Sequence, residues 1–308
     1  MDFSKKILQL KKKKNCVILA HFYQTADIQN IADFVGDSLQ LSQIAAETSA
    51  NIILFCGVNF MAETAKILSP DKKVLLPEPA AGCSLADSCS ANDLKAFLKN
   101  YPSHTVISYV NTSVEVKALT DICCTSSNAV KIIESLPKNE KIVFLPDRNL
   151  GSYIKSITKR DDMVVWDGAC HVHEEFSVEK IIELKKEYPD AKILAHPECK
   201  KTVLILADKI GSTAALLEFS KKDENDKFIV ATESGILHQM QLASPNKLFI
   251  PAPPIDSTCG CNDCKYMKMV TLEKIYTTLK NENPEVIIDI ELIEKAKKSI
   301  LRMLEMSK

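Results

Sequence analysis

The sequence predicts an α/β protein of three similar αβα domains, each with a short parallel sheet, in a pseudo-threefold arrangement around a central active site. Three observations predict it. His21, Tyr109 and His196 each end an apolar strand (VILAH, TVISY, KILAH), and each stands twelve residues before an aspartate, Asp33, Asp121 or Asp208. Five residues after each aspartate a hydroxyl heads a helical pattern: Ser38, Ser126 and Thr213. Each unit then closes on cysteine, at Cys83, at Cys170, and in the run CGCNDC that holds Cys259, Cys261 and Cys264. A repeat of 88 and then 87 residues marks stacked or clustered similar units. The expected divisions are 1–87, 88–174 and 175–308, the last including closing helices.

Within a unit the order is strand, helix, very short strand, helix, strand, helix, strand, the alternation that builds parallel sheets covered by helices. In the first unit these elements are expected near 16–20, 27–33, 34–36, 39–49, 52–56, 60–68 and 73–76, and the other two follow the same plan. The lysine run Lys11 to Lys14 continues the helical pattern SKKILQLKKKKN and reads as a solvated face. PAPPIDSTCGCNDC is dense in Pro, Cys and Asp and reads as an irregular loop beside a site, a candidate gate. TLEKIYTTLKNEN and IELIEKAKKSILRMLEM are amphipathic helices expected to close the structure.

Composition removes several classes of function. Hydrophobic residues at 46% and charged residues at 26% describe an ordinary globular chain. With 39 basic and 40 acidic side chains, the net charge of −1 leaves no footprint for nucleic acid or an anionic membrane. The sequence shows no apolar run of membrane-spanning length and no signal-peptide pattern, which predicts a cytoplasmic protein. Only eight glycines occur, with neither a GxGxxG nor a GxxxxGK[ST] pattern, so a common nucleotide-binding loop is not expected. In a reducing compartment, eleven cysteines point to metal or redox chemistry rather than disulfides.

Cys16, Cys56, Cys123 and Cys124 lie in strand or helix patterns and are expected to be buried packing residues. One loop cysteine per unit is a different matter. Structural zinc sites close their tetrahedron with protein ligands, whereas a 4Fe-4S cluster on three cysteines leaves one iron open to act as a Lewis acid. Cys261-x-x-Cys264 alone would suit zinc or a dithiol, but no second CxxC completes a zinc ribbon, and the CxxxCxxC of radical enzymes is absent.

Around these cysteines the strand ends should gather polar groups. Ser38, Ser126 and Thr213 at helix starts, with Ser212 beside the last, could act as caps or could bind phosphate or carboxylate where free N–H groups and the helix dipole favour anions. His21 with Tyr23, Tyr109 with Asn111, and His196 with Glu198 are equivalent pairs suited to acid and base work on a polyfunctional acid. Glu198 is the only carboxylate among them and the leading general base. His171, His173, Asp147, Arg148 and Glu233 lie near the same rim, and PDRNLG reads equally well as a loop with an ion pair.

The segments ILAHFYQ (18–24), ADFVGDSLQLS (32–42), GVNFMAETAKIL (57–68), YVNTSVEVKAL (109–119), CTSSNAV (124–130), PDRNLG (146–151), HPEC (196–199), GST (211–213), TESGILH (232–238) and CKYMKMVTL (264–272) resemble the quinolinate synthases, the A protein of bacterial de novo NAD biosynthesis. The resemblance spans nearly the whole chain. It implies condensation of iminoaspartate (iminosuccinate) with dihydroxyacetone phosphate to quinolinate, phosphate and water, with an oxygen-sensitive 4Fe-4S cluster. An L-aspartate oxidase would supply the iminoaspartate. It further implies Cys83, Cys170 and Cys264 as cluster ligands, although the repeat register alone selects Cys259. His21, Ser38, Tyr109, Asn111, Ser126, His196, Glu198 and Thr213 carry over as binding residues, with Tyr23 and Ser212 nearby. Glu198, Tyr23, His21, Tyr109 and His196 are the expected catalytic set. Where some relatives carry CxxCxxC, this chain has Thr258 and then Cys259, Cys261 and Cys264, so a disulfide switch stays open. The alternatives are an iron-sulfur hydro-lyase, a non-enzymatic iron or oxygen sensor, and a zinc-stabilised structural protein.

Overall fold

A computed structural model describes residues 2–256 and 262–308. Twelve short strands form three sheets of four, every neighbouring pair parallel. The first holds β1 (Cys16–His21), β2 (Phe34–Gly36), β3 (Ile52–Cys56) and β4 (Lys73–Leu75) in the order β2-β1-β3-β4. The second repeats it with β5 (Thr105–Tyr109), β6 (Ile122–Cys124), β7 (Ile142–Leu145) and β8 (Val164–Val165), in the order β6-β5-β7-β8. The third has β9 (Lys192–Ala195), β10 (Lys209–Ile210), β11 (Lys227–Ala231) and β12 (Leu248–Pro251), in the order β10-β9-β11-β12. The expected class, three αβα units, is the one found.

The repeated aspartates have a physical role. Asp33 accepts the backbone N–H of Ile18 at 2.8 Å, Asp121 that of Val106 at 2.8 Å, and Asp208 that of Ile193 at 2.7 Å. In each unit the residue entering the second strand therefore pins the first. That fixes the parallel pair, and with it the direction in which His21, Tyr109 and His196 leave the sheet. The central strands are continuous apolar runs buried on both faces, as β1 and β3 show throughout.

The helices outside the repeats lie where the amphipathic patterns suggest. Phe3–Lys13 and Leu272–Asn281 pack on one another over the first sheet, while Ile290–Met306 covers the second. Two members of the basic run do more than face solvent, since Lys11 pairs with Asp33 and Lys14 with Glu282. Among the described residues no helix is long and apolar enough to cross a membrane.

Candidate active site

In each sheet the first strand connects outward to one side and the third to the other, so a crevice opens at the carboxyl ends between them. The three crevices face one cavity, lined by residues of all three units. His21, Tyr23 and Ser38 reach it from the first unit, Tyr109, Asn111 and Ser126 from the second, and His196, Glu198 and Thr213 from the third. Cys83, Cys170 and Cys264 line the same wall, one from each unit. Of the residues singled out in the sequence, Ser212, His171, Asp147 and Arg148 do not line it. Ser212 caps the helix Thr213–Lys222 by accepting the N–H of Ala215.

The three register-related hydroxyls are not the helix caps. Ser38 and Thr213 are first residues of their helices, capped instead by Asp37 and Ser212, which leaves their own hydroxyls directed to the cavity. Ser126 sits three residues ahead of Ala129–Ser135, in a turn where Asn128 Oδ1 accepts the N–H of Thr125 at 2.6 Å. Its hydroxyl lies 3.1 Å from His196 Nε2, joining the second unit to the third.

The two strand-end histidines are held alike. His21 Nδ1 accepts the N–H of Tyr23 at 3.2 Å, and His196 Nδ1 accepts that of Glu198 at 3.4 Å. An acceptor at Nδ1 leaves the proton on Nε2, so both rings present a donor. Burial, with the neighbouring His196, lowers His21 to about 3; burial likewise lowers His196 to about 3, and both rings are neutral at ordinary pH. Burial and the nearby Glu198 carboxylate push the Tyr23 and Tyr109 phenols well above their usual range, so they too remain donors.

Glu198 is the buried acceptor at the centre of these groups. Burial pushes its carboxyl up, but His173, His196 and the Tyr109 hydroxyl outweigh this and hold it below the usual carboxylate range. Tyr109 donates to Oε1 at 2.6 Å, and His173 Nδ1 lies 3.1 Å from Oε2 without the alignment of a full hydrogen bond. His173 stacks on His196, with ring centroids 4.8 Å apart. Its Nε2 is 3.1 Å from Thr232 Oγ1, which is 2.8 Å from the Tyr23 hydroxyl. A line of polar contacts thus runs from Tyr109 through Glu198, His173 and Thr232 to Tyr23. Asn111 Oδ1 is buried and has no partner among the described residues, an acceptor left for a ligand's donor.

Cys83 and Cys170 each open a one-turn helix, Ser84–Asp87 and His171–Glu174, and Ser84 Oγ lies 2.7 Å from His171 Nδ1, tying the two turns together. Cys264 begins the third turn, its carbonyl accepting from Lys268 at 3.1 Å. Burial pushes the Cys83 thiol up to about 12, Cys170 well above its usual range, and Cys264 upward as well. Thiols so buried ionise only where a cation compensates them. Cys170 Sγ also comes within 4.8 Å of donor atoms of His173 and Glu198. The cysteines read as packing residues are buried, and so are Cys89 and Cys199. Cys259 and Cys261, and with them the register-based choice of third ligand and the redox-switch question, lie outside the described residues.

Asp147 lies buried behind the cavity, close to the Cys170 backbone and Glu198, and Arg148 stands farther out. Asp147 caps the helix Arg148–Thr158, and Arg148 pairs with Asp167 at 3.0 Å and Glu174 at 3.2 Å. Sequence reasoning passed over Phe60, Met61, Thr125 and Met267 on the cavity wall, and Thr232 behind it. Thr125 adjoins Ser126, and Thr232 directly follows the end of β11 by one residue, so the strand-end rule applied to every strand would have found both.

A family model described as quinolinate synthetase A protein matches residues 5–305. The chain is 58% identical to the quinolinate synthase of Microcystis aeruginosa, covering 99% of this chain and 95% of that protein. It is 56% identical to that of Thermosynechococcus vestitus (100% and 96%) and 54% identical to that of Chloroherpeton thalassium (100% and 95%). Matched along its length by the model and by relatives of this similarity, the chain belongs to the quinolinate synthetase A protein family.

Proposed function

We propose that this chain is a quinolinate synthase that condenses iminoaspartate with dihydroxyacetone phosphate, releasing phosphate and two waters, with Cys83, Cys170 and Cys264 holding a 4Fe-4S cluster. The observation that carries the reading is the convergence on one cavity of a single sulfur from each unit, amid donors from all three. Sulfur donors suit iron-sulfur clusters, and three of them leave a cubane one ligand short. When bound, such a cluster supplies an open iron as Lewis acid.

The chain's own residues account for the rest. Ser38 and Thr213, at the starts of ten-residue helices, suit the phosphate and carboxylates of two anionic substrates. His21 offers its Nε2–H to substrate oxygens, and Asn111 Oδ1 accepts a donor such as an imine N–H or a hydroxyl. Glu198 takes protons from carbon during isomerisation and ring closure, and Tyr109, His173, Thr232 and Tyr23 carry them away or return them to leaving hydroxyls. Exclusion of water protects an imine that hydrolyses readily. An L-aspartate oxidase would provide that imine.

The test is quinolinate formation by anaerobically reconstituted protein given fresh iminoaspartate and dihydroxyacetone phosphate. Glu198→Gln is expected to lower kcat by about 100-fold or more with the cluster absorption unchanged; wild-type turnover in that variant would remove Glu198 from the mechanism. A second reading, a single metal ion on Cys170, His173 and Glu198, rests on the proximity of their donor atoms. Metal content separates the two: Cys83→Ala abolishes a four-iron cluster and spares a mononuclear site.

A further inference from the structure

Glu233 is fully buried, yet its carboxylate does not act on the cavity alone. Oε1 accepts the N–H of Cys264 at 3.1 Å and pairs with Lys268 Nζ at 2.7 Å. Oε2 accepts the N–H of Gly235 at 2.7 Å. Lys268 in turn donates to the carbonyl of Tyr23 at 2.8 Å. One ion pair therefore touches the backbone of the third cysteine, the loop after β11, and the turn that carries Tyr23.

Three further contacts make this corner rigid from the Tyr23 side. A Cβ on Gly235 would stand 2.7 Å from the Tyr23 Cα, so the two backbones are in direct contact and only glycine fits. Gln29 Nε2 contacts the carbonyls of Phe22, Gln24 and Gly235 at 3.0, 2.8 and 2.9 Å. Thr232 holds the Tyr23 hydroxyl. Cys264 itself meets this corner through the bond from its N–H to Glu233, with Asp263 accepting from Ser234 and Asn262 donating to the carbonyl of Val172 just before it, whereas Cys83 and Cys170 are joined through Ser84 and His171.

We propose that Glu233 and Lys268 form a latch that positions the third cysteine, so that the hold on the cluster's last sulfur and the placement of Tyr23 depend on one buried ion pair. Glu233 is a positioning residue here, acting through the Cys264 backbone. The cluster part of the inference rests on the function proposed above; the placement of Cys264 does not. Breaking a buried pair by neutralising one member leaves the other charge uncompensated, so the effect should be large, and groups that orient metal ligands commonly change affinity 10- to 100-fold.

The experiment compares wild type, Glu233→Gln, Lys268→Met and Lys268→Arg as full-length protein. In anaerobically reconstituted samples, loss of iron to an excess of a ferrous chelator is followed by absorbance. Glu233→Gln and Lys268→Met should lose it about tenfold faster or more, with Lys268→Arg near wild type, and Glu218→Gln, which breaks the exposed Lys221 pair, unchanged. In iron-free samples, amide exchange at Cys264 and Gly235 and alkylation of the Cys264 thiol should accelerate in the same two variants. Folded variants with wild-type iron release, exchange and alkylation would overturn the latch. Should Glu233→Gln fail to fold, the partly exposed side of the pair, Lys268→Met, decides the matter alone. If wild type binds no four-iron cluster, the cluster reading fails, and exchange and alkylation still judge the latch.

Discussion

The helix Ile290–Met306 lays Ile293, Ala296, Ile300 and Met303 against a core that runs without a break from Leu19 and Phe55 of the first sheet to Ile107 and Phe144 of the second. The third sheet has no share in that core. Ile193, Ile229, Ile181 and Phe176 form a cluster of its own, and on its other face Phe22 is the one fully buried apolar residue contributed by the first unit. Closing helices aside, the third sheet and its loops meet the other units largely through polar groups, among them Ser126 with His196, Tyr109 with Glu198, Tyr23 with Thr232, and Gln29 with Gly235. The first seam is apolar and remote from the cavity; the second is made in large part of cavity residues. Residues that hold the third unit in place therefore include cavity residues, and under the proposed function stability and activity should be separable at one seam but coupled at the other.

The sharpest test of that contrast is Ile300→Ala, which empties a fully buried position in the shared core. It should cost about 2–5 kcal/mol, lowering by calorimetry the transition of the first two units while quinolinate formation per folded molecule stays near wild type. An equal loss of specific activity would break the comparison. Acid should act on the other seam. With His21 and His196 held at about 3, the native state refuses protons that the unfolded chain takes up below its usual 6.5. Stability from these groups is thus complete above pH 6.5 and is lost as pH falls toward 3, by roughly 1.4 kcal/mol per pH unit for each ring. Thermal unfolding between pH 7 and 5 should show this slope, and His196→Asn should reduce it; a flat profile would mean that the rings charge without penalty. The smallest effect is expected from Gly235→Ala, where the added methyl meets the Tyr23 backbone. Its cost of about 1–3 kcal/mol should appear mainly as a rise in KM with little change in the transition of the first two units.

Much of this was legible in the sequence, for reasons that can be named. The Asp33, Asp121 and Asp208 spacing recorded a hydrogen bond back to the preceding strand, so register alone located equivalent strand ends and, through them, most of the polar cavity residues. Ligand-bearing loops follow strand ends in any parallel sheet, and that rule needs no knowledge of how units pack. What escaped was set between units. The Glu233–Lys268 pair joins residues 35 apart in sequence to Tyr23, more than 200 residues away, and no periodicity encodes that contact. Which of Ser212 and Thr213 caps and which lines the cavity was not legible either, because pattern locates a helix start to a few residues while capping depends on which hydroxyl meets which N–H. The shared core was invisible for the same reason as the latch, since an amphipathic helix announces an apolar face but not its partner.

The covering of the second sheet by residues 290–306 has a consequence for biosynthesis. Cys123 donates to Ser299, and Ser299 to the carbonyl of Lys117, contacts spanning 176 and 182 residues. While a ribosome is still making the third unit, the apolar face around Ile122 and Cys123 has no cover. The middle of the molecule therefore finishes folding after the part that follows it. During that interval a nascent chain exposes an apolar surface, so demand for chaperone binding should centre on the second unit and end with the emergence of residues 290–306.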